Sequence, residues 1–234
     1  MTLRAPRLST MVVLHSLPMK LNTNQLVEQI PINDIVIKVE KKGFMRRGES
    51  KRDRIHRRNP QVKTTSGFGH NSITLVMMVN GFGHQAQKEV TIKIFHNGVF
   101  HLTGLPHEDY ERHAIDEMMK IMRALPDECF LEKPVEWIEP TRRVVLMNFT
   151  TSFSDADKLS RIAVQSFFKE KGYRADFEPD VDPAVKVQFA EGWIARIFRT
   201  GKINLTALKT TEDCVEFVRR LDILFNDFFE TCTP

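Results

Sequence analysis

The ten residues Ile94-Phe95-His96-Asn97-Gly98-Val99-Phe100-His101-Leu102-Thr103 return, in pattern, as Ile197-Phe198-Arg199-Thr200-Gly201-Lys202-Ile203-Asn204-Leu205-Thr206. The shared form is I-F-x-x-G-x-x-x-L-T, and the offset is 103 residues. Such self-similarity within 234 residues predicts two copies of one folding unit. The flanks repeat as well. Residues 73–79 form a β-rich run ending at Asn80-Gly81, a hairpin signal. Val90, Ile92 and Ile94 alternate with Thr91, Lys93 and Phe95, and Phe100 and Leu102 alternate with Val99, His101 and Thr103. Both runs therefore read as half-buried strands around the Asn97-Gly98 turn.

A helix is expected over 107–125, with Tyr110, Ala114, Met118, Ile121, Met122 and Leu125 on its apolar stripe. In the second half, 185–189 and 193–198 read as strands and Thr200-Gly201 as the turn. A helix then opens at Thr210/Thr211 and buries Val218, Leu221, Phe225 and Phe228. Further helices precede the strands. Residues 154–157 read as a capping box ahead of Leu159, Ile162, Ala163 and Phe167, closing at Gly172; 22–30 is the shorter counterpart. The expected division is a first repeat at 1–126, a joint at 127–141 containing Pro134 and Pro140, and a second repeat at 142–234.

Phe95 and Phe198 break the apolar pattern. Each shares parity with polar residues of its strand, Thr91 and Lys93 in one case and Arg196 in the other. Packing under a loop or a bulge would explain one such ring. Two at equivalent places, beside Thr103 and Thr206, favour a functional face.

Several chemistries are not expected. No apolar run approaches the ~18 residues of a membrane helix. Cys129, Cys214 and Cys232 lack any CxxC spacing and read as reduced thiols. His96, His101, His107 and His113 fall on a turn, a strand and a helix without zinc-site spacing, so no metal is expected. Neither a nucleophile–base constellation nor a nucleotide-binding loop stands out, so neither catalysis nor a cofactor is expected.

Two copies of the hairpin motif with matching flanks, and the F-E-P-x-x-x-P stretch at residues 177–183, resemble the TATA-box-binding protein (TBP) family. Gly67-Phe68-Gly69-His70-Asn71-Ser72 and the basic insertion before it are similar to the divergent TBP-like proteins of large nucleocytoplasmic DNA viruses. The resemblance implies an α+β fold of two pseudo-symmetric repeats, a curved antiparallel saddle with helices on its convex face. It also implies a transcription initiation factor that binds and bends double-stranded DNA through the minor groove. RNA polymerase or general transcription factors would dock on the helices, in a host nucleus, a viral factory or a virion.

Carried onto this chain, the resemblance makes Phe95 and Phe198 wedges and Thr103, Thr206, His101 and Asn204 groove contacts. The wedge partners fall at His70, with Phe68 two residues earlier, and at Asp182, whose ionised carboxylate phosphates would repel. The central pair falls at Thr10 and Val144, and Val12 and Leu146 stay apolar. The alternatives are a TBP-fold interaction module with little DNA specificity, or a virion nucleic-acid-binding protein.

The charge is unevenly placed. The whole chain carries +4, yet residues 41–58 hold nine Lys/Arg against Glu49 and Asp53, a local +7 that leaves −3 elsewhere. The insertion, about 41–66, is expected to be a flexible arm rather than a strand. Arg46, Arg47, Lys51, Arg52, Arg54, Arg57 and Arg58 would clamp phosphates or address an import receptor.

Overall fold

A computed structural model describes residues 2–51, 53, 72–81, 86–154 and 159–232. The chain divides into two compact units, Val12–Arg143 and Val144–Pro234 together with Met1–Met11. In chain order the elements are β1 (Arg7–Ser16), β2 (Lys20–Leu21), α1 (Thr23–Gln29), β3 (Val36–Lys41), β4 (Met45–Gly48), β5 (Ser72–Val79) and β6 (Lys88–Phe95). There follow β7 (Val99–Leu105), α2 (Glu108–Ala124), β8 (Phe130–Glu132), β9 (Thr141–Ser152), α3 (Arg161–Glu170) and β10 (Arg174–Asp176). The last are β11 (Ala184–Gln188), β12 (Ile194–Phe198), β13 (Lys202–Leu208) and α4 (Thr211–Cys232).

In the first unit, antiparallel strands run in the order β7-β6-β5-β3-β4; in the second the order is β10-β11-β12-β13-β9. The alternation read from sequence sets which face each side chain takes. Val90, Ile92, Ile94, Phe100 and Leu102 are fully buried, packed with Ala114, Met118 and Met122 of α2 in the core. Ile121 is only half-buried, at the edge of that stripe. In the second unit Ala195, Ile197, Ile203 and Leu205 are buried, and α4 adds Cys214, Phe217, Leu221, Phe225 and Phe228. Val218 is half-buried.

The repeat extends to backbone detail. Gly98 N–H donates to the Phe95 carbonyl at 3.1 Å, and Gly201 N–H to the Phe198 carbonyl at 3.0 Å. Both glycines have positive φ, 76° and 75°, as these turns require. Past each threonine the strand enters the left-handed region again, at Gly104 (φ 78°) and at Ala207 (φ 67°), the one non-glycine residue of positive φ among those described. There β13 shifts register against β9 between Leu205 and Leu208. A left-handed alanine costs roughly 1–2 kcal/mol.

The structure differs from the sequence reading in four places. The 41–66 insertion does not begin as a flexible arm: β3 and β4 form a hairpin, Lys41 opposite Met45 and Lys38 opposite Gly48. Charged residues on an edge strand discourage pairing with other chains, so a basic run is compatible with a strand there. Asn80-Gly81 directly follows β5, but Val79 and Lys88 are the last pair of the β5–β6 hairpin, so no two-residue turn joins these strands. Of the capping box expected at 154–157, residues 155–157 lie outside the described residues; α3 is capped by Ser160, its Oγ accepting from Ala163 N–H at 3.3 Å. The buried stripe is consequently Val164, Phe167 and Phe168, while Ile162 is exposed. Residues 127–141 belong to the first unit and include β8, which pairs with β2.

Candidate nucleic-acid interface

Each unit packs one sheet face against its helices α1 and α2, or α3 and α4, and turns the other, open face away from them. On the open face of the second unit, register aligns Lys186, Arg196, Asn204 and Thr150 across four strands. Beside that row run Gln188, Ile194 and Thr206. On the first unit the corresponding rows are Thr74, Lys93 and His101, and Val76, Thr91 and Thr103. Lys93 and Arg196, His101 and Asn204, and Thr103 and Thr206 are each related by the 103-residue offset.

The equivalence is chemical as well. Thr103 Oγ1 donates a long hydrogen bond to the Thr91 carbonyl at 3.5 Å, and Thr206 Oγ1 one to the Ile194 carbonyl at 3.4 Å. Burial and then the neighbouring Lys93 charge push the His101 imidazole below the usual histidine range. His101 is thus neutral at physiological pH and, like the Asn204 amide, offers a donor and an acceptor without charge. A cation flanks each: Lys93 opposite His101 and Arg196 opposite Asn204.

Phe95 and Phe198, both half-buried, end β6 and β12 on these open faces. Phe95 lies opposite Ser72 and Phe198 opposite Ala184, both small, so each ring rises beside a low neighbour. Phe198 has a further support. The Arg196 guanidinium stands 6.0 Å from its ring centroid and donates to Asp182 Oδ2 at 2.6 Å. Asp182 also accepts from Ala184 N–H at 3.0 Å. The Arg196 hydrogen bond holds its carboxyl below the ordinary aspartate range against a smaller opposing effect of burial. Asp182 is therefore not the bare repulsive charge that the sequence implies; its charge is matched by Arg196, which sequence reasoning passed over.

Thr10 and Val12 are half-exposed on β1, alternating with buried Met11 and Val13. Val144 and Leu146 are half-exposed on β9, where Met147 is buried. The basic residues are not one set. Arg47 Nη1 donates to the carbonyls of Val27, Glu28 and Ile30 at 3.2, 2.6 and 2.9 Å, capping the C-terminal end of α1. It is thus committed to the helix side and is not a phosphate clamp of the open face. Arg46 pairs with Asp53 at 2.7 Å, and Lys51 is exposed. Arg52, Arg54, Arg57, Arg58, Phe68 and His70 lie outside the described residues.

The other polar groups are structural in placement. His107 caps α2 through Asp109 N–H, and His113 Nδ1 accepts from Asn80 N–H at 3.0 Å. Burial pushes the Cys214 thiol up to about 12, so it carries no thiolate at neutral pH. Among the described residues no three His, Cys, Asp or Glu converge as a metal site, and no helix is long and apolar enough to cross a membrane.

A strip of neutral hydrogen-bonding and apolar side chains, flanked by cations and ended by a phenylalanine, occurs on the open face of both units. No protein-family model matches this sequence. No curated protein matches it either. Among solved structures, the chain is similar in fold to the TBP of Methanococcus jannaschii, at 15% identity and a TM-score of 0.58, over 96% of this chain and 99% of that one. The chain has the TBP fold: an α+β architecture of antiparallel strands backed by helices.

Proposed function

We propose that this protein is a TBP-type DNA-binding factor of transcription initiation, carrying duplex DNA on the open sheet faces. The observation that supports this most is the doubled row chemistry: Lys93–His101 beside Thr103, and Arg196–Asn204 beside Thr206. Minor-groove edges present mainly acceptors, the N3 of adenine and O2 of thymine, which neutral donors such as Asn204 and His101 satisfy. The exposed Lys93 and Lys186 in these rows suit phosphates along a groove. Phe95 and Phe198 would enter opened base steps, an exchange of ~a few kcal/mol of unstacking per step for contact along a widened groove. Thr10, Val12, Val144 and Leu146 would supply the flat floor. The viral affiliation belongs to this proposal too, resting on the 67–72 sequence and the basic insertion alone.

A second role for the helices has its own support. Val215 and Ile223 on α4 are 62% and 57% exposed, two turns apart with Arg219 between them. Two exposed apolar side chains around an arginine would give a mixed face for a protein partner such as polymerase or a general transcription factor.

The test is a fluorescence energy-transfer bending assay on duplexes selected from a random pool. The wild type bends its selected duplex, and the Phe95→Ala/Phe198→Ala variant binds it with bending largely lost. Unchanged bending in the double variant would remove the wedge role.

A further inference from the structure

The start of the insertion lies on the open face of the first unit. On β3, Val39 is opposite Leu75 and faces the core, whereas Lys38 and Glu40, opposite Val76 and Thr74, face away from the helices. On β4 the same alternation sends Arg47 to α1 and Arg46, opposite Glu40, to the open side. The strand ends at Gly48, where φ is +73° and a Cβ would stand 2.1 Å from the Ile37 carbonyl oxygen. Only glycine lets the chain pass so close against β3.

Beyond Gly48 the chain is tied to that face by several contacts. Glu49 N–H donates to the Ile37 carbonyl at 3.1 Å, and Lys51 N–H to Glu89 Oε1 at 3.0 Å. Asp53 accepts from Ser50 N–H at 2.8 Å, from Lys38 Nζ at 2.9 Å and from Arg46 Nη2 at 2.7 Å. Burial opposes ionisation of Asp53, but Lys38, the Ser50 amide and Arg46 together outweigh it and hold the carboxyl below its usual range.

Lys38 also meets the Glu40 carboxylate at 2.5 Å, and the second unit differs at this place. Val76 and Gln188 occupy equivalent register positions, opposite Thr91 and Ile194. Gln188 is exposed, yet Val76 is 3% exposed and Lys38 6%, although both lie on the face turned away from α1 and α2. We propose that residues 49–51 and 53 form an autoinhibitory latch, occupying Lys38, Arg46 and the outer part of the first unit's open face until duplex DNA displaces them. This rests on the DNA-binding reading above. Phosphate oxygens replace the Asp53 carboxylate on the same two cations, a like-for-like exchange of charge-assisted hydrogen bonds. Because only the unlatched fraction binds on that face, the latch lowers apparent affinity by that fraction.

The experiment compares wild type with Asp53→Asn, measuring affinity for a short fluorescent duplex and amide hydrogen exchange with and without that duplex. Asp53→Asn is expected to bind about tenfold tighter, as for a competent state populated near a tenth. In wild type the Ser50 and Lys51 amides are protected when free and exchange faster once duplex is added. Glu89→Gln weakens the separate anchor on Lys51 and moves both readouts the same way, so it carries the test if Asp53→Asn misfolds. Equal affinities overturn the latch and leave DNA binding standing. Tighter binding with both amides still protected in the complex also overturns it, since lost negative charge alone then explains the gain. Absence of duplex binding by wild type and both variants overturns the latch and the DNA-binding reading together.

Discussion

Glu111 and Cys214 hold the same place in the two units, 103 residues apart, on the buried side of α2 and α4. Around them the helix positions correspond: Ala114 with Phe217, Met118 with Leu221, Met122 with Phe225, Leu125 with Phe228. Yet the chemistry diverges. Glu111 is buried and ionised, taking His15 Nε2 at 2.8 Å and a two-pronged Arg142, Nε at 2.6 Å and Nη2 at 2.9 Å. Cys214 is a buried neutral thiol one turn before Phe217, whose ring meets Phe189 and Trp193 at 4.7 and 5.2 Å between ring centroids. One backbone plan tolerates either solution because a buried charge is acceptable only with its partners supplied, whereas an apolar site needs only volume. The open faces differ in degree as well: Asp53 gathers Lys38 and Arg46 on the first unit, whereas Asp182 pairs with Arg196 alone on the second.

The largest effect expected from this contrast is at Glu111. Glu111→Ala removes the carboxylate shared by His15 and Arg142, the latter keeping Glu108 at 3.4 Å, and should cost about 3 kcal/mol at neutral pH. Burial favours the protonated acid, but the hydrogen bonds from His15 and Arg142 outweigh it, so the folded-state pKa lies below the ordinary 4.5. That stabilisation is present above 4.5 and is lost as pH falls through the folded pKa. Urea unfolding of wild type and variant should therefore converge in acid; a gap that persists there would mean Glu111 acts by packing alone.

A smaller effect separates Gly104 from Ala207. Gly104→Ala should cost about 1 kcal/mol, and Ala207→Gly should gain up to about that much, reduced by the added freedom of the unfolded chain. Opposite shifts in the thermal midpoint would establish that both repeats need the left-handed residue after their threonine. Equal signs would break the equivalence.

Much of the fold was legible because period-2 alternation and capping are local. Val90 to Ile94 with Phe100 and Leu102, the helix from Glu108 and the turn at Gly98 all follow from neighbours in sequence. Charge composition was less informative. The alternation Val36-Ile37-Lys38-Val39 with Gly43 at a turn was present as a signal, but the density of Lys and Arg masked it. The roles of Arg46, Arg47 and Asp182 depend on partners 7, 17–20 and 14 residues away, and residue type alone does not specify them. The place of Phe95 and Phe198 on the polar parity, by contrast, could be read directly from the strands that carry them.

If duplex DNA lies on the open sheet faces, charge on those faces governs its affinity and charge on the helices does not. Lys93 and Lys186 are exposed there, one on each unit, whereas Lys120 and Arg219 are exposed on α2 and α4. Duplex affinity should be measured at low and moderate salt for Lys93→Glu/Lys186→Glu and for Lys120→Glu/Arg219→Glu. The open-face pair should lose about 30-fold or more at low salt and show a shallower salt dependence, as expected when phosphate contacts are removed. The helix pair should stay within about threefold of wild type. The reverse pattern, or equal losses in both, would contradict the account.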